Sequence, residues 1–244
     1  MSRKPRFTYA HAVHHVTLRC NNKEFLFAVP SFELFLEVLQ QARQKFPLAL
    51  LNYCLMTNHV HLLIKVGKDD TLSRAMHWIS SRFSRRFNAL AVRRGHIWEG
   101  RFRSTLIEED SYFFRCMAYI DLNPVRAKMA VTPIEYRWSG HRALRDENGG
   151  VLDLHQLYLD GGKTATERYA AYMKLVEEEA ARPAIPLATE YIVGSARFAA
   201  KMRERFGIGG SSDALEVKEL GGVCVVGPAW GGNRRRNAND SHNR

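Results

Sequence analysis

His59 and His61 flank Val60 in the run Thr57-Asn58-His59-Val60-His61-Leu62-Leu63-Ile64. The run is rich in branched and apolar residues and is bounded by Asn58 and Gly67, so it reads as a β-strand. Successive side chains on a strand point to opposite faces, so the two imidazoles leave one face, one pleat apart. So placed, they can grip a divalent cation and leave its other positions open. The competing reading of a lone His-x-His is two hydrogen-bonded histidines at a sheet surface. Tyr119 and Asn123 are the second pair, four residues apart on a helical stretch and so on one helix face. A phenol with a pKa of about 10 is a poor nucleophile at neutral pH. It becomes useful when a bound cation polarises the phosphodiester it attacks. His59, His61 and the Asn123 carbonyl oxygen can hold that cation. Imidazole and oxygen donors with open positions suit Mn²⁺, and Mg²⁺ less comfortably. The plainer alternatives are a core tyrosine beside Tyr112 and Met117, and an asparagine that N-caps a helix starting at Pro124.

The elements that must position these groups follow from periodicity. Val13 to Cys20 reads as a first strand, and apolar residues at helical spacing from Phe32 to Phe46 read as a helix stopped by Pro47. Leu48 to Met56 and His59 to Val66 are strands separated only by Thr57-Asn58, which predicts a hairpin. The far end of the histidine strand is expected to be buried on both faces. Thr71 to Arg94 is helical, with Leu72, Met76, Ile79, Phe83, Phe87 and Leu90 as its apolar stripe and Gly95 as its end. His96 to Ile107 is expected to form a short hairpin turning at Glu99-Gly100. Asp110 or Ser111 caps the next helix, Tyr112 to Leu122, which Asn123-Pro124 is expected to interrupt.

Strand, helix, strand hairpin, helix and further helix predict an α+β fold with a ferredoxin-like antiparallel sheet and helices on one face, plus a helical C-terminal extension. The first and third strands are then neighbours, which places His14 or His15 near His59 and His61; both read as plain strand histidines. The expected domains are 1–148, then a helical extension over 149–206 with helices at 164–181 and 188–206. A poorly ordered basic tail covers 207–244, with a lone strand at Val223 to Val226.

The chain has 244 residues and a formal net charge of +11. Such an excess points to a polyanion, and no apolar run is long enough to span a bilayer. The basic N-terminus lacks the apolar core of a signal peptide. Cys20, Cys54, Cys116 and Cys224 are far apart without zinc-site spacing, which suits buried thiols in a reducing cytoplasm. The stretch 71–94 holds six arginines and no acid. Arg74, Arg82, Arg85 and Arg86 on it are candidates to lie along a phosphate backbone, against the plainer reading of a solvated face. Arg101, Arg103 and Arg126 are candidates to hold substrate phosphates beside the site. Trp98 reads as a core residue, with base stacking as the alternative. Glu108 reads as a cap.

Asn58-His59-Val60-His61-Leu62-Leu63 resembles the His-hydrophobic-His motif of single-tyrosine (HUH) transposases. Gly95-x-x-Trp98-x-x-Arg101-Phe102-x-Ser104 and Tyr119-Ile120-x-x-Asn123-Pro124-Val125-Arg126-Ala127 resemble the rest of that signature, nearest to the REP-associated tyrosine transposases. The resemblance covers roughly residues 8–145. It implies a divalent metal, Mg²⁺ or Mn²⁺, on His59, His61 and Asn123, and Tyr119 as nucleophile. It further implies single-stranded DNA with palindromic hairpins as the partner of a monomer or homodimer, and a 5′-phosphotyrosine intermediate in strand transfer. Two rivals stay open: a DNA-binding protein of the same fold without catalysis, and a metal-dependent phosphodiesterase that uses water.

Overall fold

The computed structural model describes residues 6–21, 28–147, 150–183, 187, 189–208, 215–220 and 223–228. The chain runs β1 (Val13–Arg19), α1 (Val29–Lys45), β2 (Leu48–Leu55), β3 (His59–Val66), α2 (Thr71–Leu90), β4 (Arg103–Ile107) and α3 (Ser111–Arg126). After a 3₁₀ turn at Pro133–Glu135 come α4 (His141–Asp146), α5 (Gln156–Leu159), α6 (Ala165–Ala180), β5 (Ile192–Gly194), α7 (Ala196–Arg205), β6 (Leu215–Leu220) and β7 (Val223–Pro228).

The first four strands lie in the order β2-β3-β1-β4, all antiparallel, as the βαββαβ alternation requires. Period-2 alternation divides the core in two. Val16, Leu18, Val60, Leu62, Ile64 and Val66 face α1 and α2. Val13 and Leu63 face α3. Leu63 and Ile64 are both fully buried, so this strand is covered on both sides. The α+β class and ferredoxin-like sheet are as read from the sequence. The helices are not confined to one face: α1 and α2 cover one, while α3 and α6 cover the other because Phe113, Met117, Ile120 and Val176 form a second apolar surface there.

Several boundaries differ from expectation, each for a physical reason. No hairpin forms over 96–107. Trp98 instead bridges to Cys20 beyond the end of β1, its indole N–H donates to the Ser80 carbonyl at 3.2 Å, and its ring packs against Phe35 and Phe83. The core reading of Trp98 therefore holds. α2 ends at Leu90 rather than Arg94, and Leu90 is exposed. α3 runs through Pro124 without a break. Pro124 has no N–H for the Ile120 carbonyl, and the Asn123 side-chain amide reaches that oxygen at 3.4 Å and the Tyr119 carbonyl at 2.8 Å.

The extension is not purely helical. β5 replaces the first part of the helix expected over 188–206, and it pairs parallel to β4. The strand at 223–228 is not alone: it pairs with β5 and β6, carrying one sheet to seven strands in the order β2-β3-β1-β4-β5-β7-β6. The sheet is therefore mixed at that junction, and residues 215–220 and 223–228 are strand where tail was expected. The segment after α3 lies along the outer edge of β2, where the Leu55 N–H donates to Trp138 O and the Gly140 N–H donates to Tyr53 O. The remaining tail, 229–244, and the boundary residues Asn148 and Gly149 lie outside the described residues. Cys20, Cys54 and Cys116 are buried free thiols, while Cys224 is half-buried. Among the described residues no helix is long and apolar enough to cross a membrane.

Candidate active site

The cleft opens on the α3 side of the sheet. β3 sends His59 and His61 to that face, and the β1–β3 register sets Arg19 opposite His59 and Thr17 opposite His61. α3 crosses the same face and brings Tyr119 and Asn123 to it. The turn before β4 adds Arg101, and β4 adds Arg103. These side chains line one cleft of about 440 Å³. Four segments far apart in sequence thus meet where the motif residues lie.

His61 is buried and His59 half-buried, with ring centres 4.8 Å apart. Burial lowers the His59 pKa to about 4, with Arg19 adding repulsion. Burial holds His61 well below its ordinary value, helped by His15, His59 and Arg19. Both imidazoles are therefore neutral at pH 7 and can offer a lone pair. His59 Nδ1 lies 2.6 Å from Asn58 Oδ1. An amide oxygen only accepts, so Nδ1 carries the proton and Nε2 keeps its lone pair. His61 Nδ1 lies 2.9 Å from His15 Nε2, while the buried His61 Nε2 has no partner among the described residues. The Asn123 amide nitrogen is turned back to its own helix, which leaves Oδ1 as its ligand atom.

These donors fit a divalent cation: an orphaned buried imidazole nitrogen, a second imidazole with its outer nitrogen engaged, and one amide oxygen. No cluster of three or more His, Cys, Asp or Glu side chains suited to a metal occurs among the described residues. A cation here would therefore take its third protein donor from Asn123.

Tyr119 is half-buried, and its ring stands edge-on to His15 and His61, each at 5.9 Å between centres. Burial raises its pKa, and the Arg126 guanidinium lowers it in part. Arg126 lies over the Tyr119 ring at 5.3 Å and donates to the Glu179 carbonyl at 3.4 Å. Arg101 and Arg103 reach the cleft, as the sequence suggests. Arg74, Arg82, Arg85 and Arg86 do not: α2 packs on the other face of the sheet. Arg86 is paired with Glu37 at 2.6 Å and Arg74 with Asp70 at 3.0 Å. The acid-free helix draws its partners from α1 and from its own preceding residue. Arg74 and Arg85 instead line a second, shallower groove with Lys45, His77, Phe46 and Trp78. Glu108 caps as expected, although its target is the start of α7, where its carboxylate accepts from the Ser195 N–H at 2.5 Å.

Arg19 and Thr17 are site residues that sequence reasoning misses, and of the two histidines it places near the pair, His15 is the one that meets His61 and is more than a plain strand histidine. Their signal lies in the alternation of β1, which puts residues 15, 17 and 19 on one face. Only the pairing with β3 tells which face that is.

Comparison with known proteins agrees with this geometry. The family described as "Transposase IS200 like" matches residues 8–123. A curated protein of Haemophilus influenzae named for the REP-associated tyrosine transposases is 24% identical over 124 residues, covering 46% of this chain and 70% of its own. A solved REP-associated tyrosine transposase bound to a REP hairpin shares the fold, with a TM-score of 0.53 at 16% identity over 64% of this chain and 92% of its own. Residues 8–123, which carry the histidine pair, the tyrosine and the asparagine in one cleft, thus match the IS200-like transposase family, and the fold is shared with a REP-associated tyrosine transposase.

Proposed function

We propose that this protein is a divalent-metal-dependent endonuclease and strand transferase acting on hairpin-forming single-stranded DNA, with Tyr119 as nucleophile. The observation that carries this reading is the single cleft lined by His59, His61, Tyr119, Asn123, Arg101 and Arg103. His59 Nε2, His61 Nε2 and Asn123 Oδ1 would hold Mg²⁺ or Mn²⁺. When bound, the cation would polarise the scissile phosphate and neutralise charge gathering on it. Arg19, Arg101 and Arg103 would hold the phosphate and its neighbours.

Tyr119 would attack phosphorus as its proton is lost. The Tyr119 Oη–P bond forms and the bond from phosphorus to the 3′ oxygen breaks. The leaving oxygen takes up a proton and becomes a free 3′-OH. The 5′-phosphotyrosine keeps the bond energy, so the 3′-OH of another strand can reverse the step and rejoin DNA. Arg126 supports the phenolate that develops, because its charge already lowers the Tyr119 pKa against burial. The hairpin preference rests on the likeness to a relative whose structure holds a REP hairpin. The basic groove on the α2 face, lined by Arg74 and Arg85 with Arg82 beside its Trp78 ring, would hold further phosphates without reading sequence.

A denaturing gel with single-stranded, hairpin-bearing DNA and Mn²⁺ tests the reading. A covalent protein–DNA adduct is expected from the wild-type chain. The adduct should disappear in excess chelator and in His59→Ala and His61→Ala. Cleavage without adduct would mean that water is the nucleophile, and binding without cleavage would mean that only the fold has been kept.

A further inference from the structure

We propose that His15 is a positioning residue that fixes the ring and tautomer of His61, so that the His61 Nε2 lone pair faces the cleft. The inference rests on the reading of His61 as a metal ligand and adds a residue to it. β1 and β3 are antiparallel neighbours, and the residues at 15 and 61 leave the same face as a diagonal pair, since His15 stands opposite Leu63 and His61 opposite Thr17. His15 Nε2 and His61 Nδ1 are 2.9 Å apart. Both rings are almost wholly buried, at 1% and 3% exposure.

Burial this complete disfavours a charge on either ring, so the pair is held as two neutral imidazoles. A hydrogen bond between two neutral imidazoles contains one proton. If His15 donated it, His61 Nδ1 would accept and Nε2 would carry the other proton, closing that nitrogen to a cation. If His61 donates it, Nε2 is left with its lone pair. The burial of His61 Nε2 without a partner among the described residues fits the second state, because a ligand completes that nitrogen. The same His15 ring meets the Tyr119 ring edge-on at 5.9 Å and 82°. It therefore touches both the ligand and the nucleophile. A β-branched residue would fill a buried central strand position without a polar nitrogen to satisfy, so packing alone does not account for a histidine here.

Two variants and one spectrum test this. His15→Phe keeps an aromatic ring and removes the acceptor. His15→Gln puts an amide oxygen near the place of Nε2. The first readout is the Mn²⁺ affinity of the DNA-free protein, followed by the electron paramagnetic resonance of free Mn²⁺. His15→Phe should weaken it by about 10–100-fold, the usual cost of losing an outer partner of a metal-bound histidine. His15→Gln should recover most of that loss, and single-strand affinity in chelator should be unchanged in both. Wild-type Mn²⁺ affinity in a folded His15→Phe would overturn the proposal, as would a folded His15→Gln no better than His15→Phe. The second readout is the ¹⁵N spectrum of the metal-free wild-type protein, which needs no variant to fold. It should show His61 protonated at Nδ1; protonation at Nε2 would overturn the proposal. Failure of the wild-type chain to bind Mn²⁺ while His61 is protonated at Nδ1 would count against the metal reading and for His15 as the group that orients the ring.

Discussion

The guanidinium carbon of Arg126 lies 5.3 Å from the centre of the Tyr119 ring, about two turns further along the same helix. A cation held over a phenol stabilises the phenolate. Two effects therefore oppose each other on the nucleophile, burial raising its pKa and Arg126 lowering it. Removing the charge leaves burial alone. In Arg126→Gln the alkaline limb of the pH–rate profile for adduct formation should move to higher pH, by up to about one unit. An unmoved limb would mean that Arg126 serves only the DNA phosphates and the Glu179 carbonyl.

Tyr119→Phe should abolish the covalent adduct and leave single-strand affinity within about threefold of wild type, a change under about 1 kcal/mol. The arginines around the cleft supply the attraction, and the lost oxygen supplies only the bond. A gel-shift titration beside the denaturing gel checks both. Cleavage that persists in the variant would remove Tyr119 from the reaction.

The α2 face and the cleft should separate in experiment because they lie on opposite sides of the sheet. If Arg74, Arg82 and Arg85 each meet one phosphate of a single strand, changing all three to Gln should flatten log K against log salt by about 2. Affinity should fall alike for specific and scrambled strands. The rate of adduct formation on a short, saturating oligonucleotide should stay near wild type. An unchanged salt slope would show that this groove does not hold DNA.

Stability should fall in mild acid. The folded pKa of His14 and of His15 is about 3, and that of His59 is about 4, against an ordinary 6.5, burial being the main cause in each. Between these values and 6.5 the unfolded chain binds more protons than the folded one, so stability rises with pH. The contribution is complete above about pH 6.5 and is lost as the pH falls below it. Between pH 7 and pH 5.5 each such group should cost about 1.3 kcal/mol. Melting temperature against pH in metal-free buffer checks this, and a flat curve over that interval would mean that these histidines are not held neutral.

Asp121 ties the residues beyond α4 to the nucleophile's helix. It is fully buried. It accepts from Asn52 Nδ2 at 2.9 Å and the Tyr172 hydroxyl at 2.6 Å, and pairs with His141 Nδ1 at 2.7 Å. A bulge in β2 between Leu50 and Asn52 turns Asn52 towards α3. Asp121→Ala should leave these buried donors unpaired and cost about 3–5 kcal/mol in denaturant unfolding. For the same reason a chain cut near residue 148 should not fold: it loses Tyr172, the Glu179 partner of Arg115 at 3.0 Å, and the strands that extend the sheet. A stable, cooperative fragment 1–148 would show that the extension is accessory.

Local repetition makes much of this protein legible in its sequence. The alternation of a strand places His59 and His61 on one face, and the helical period places Tyr119 and Asn123 together, because both periods are built into the covalent backbone. The order of strands and helices is enough for the four-stranded core. What only the tertiary structure decides concerns contacts between residues far apart in the chain. His15 meets His61 because β1 lies beside β3 in one register. The arginines of α2 lie away from the cleft because α2 buries its stripe on the opposite face. α3 runs on through Pro124 because Asn123 bonds the carbonyl that proline leaves free, and β5 joins the sheet by pairing Ile192 with Leu106, far back in the chain. Such pairings depend on which distant surfaces bury most apolar area and leave fewest polar groups unpaired, and a window of neighbouring residues carries no measure of that.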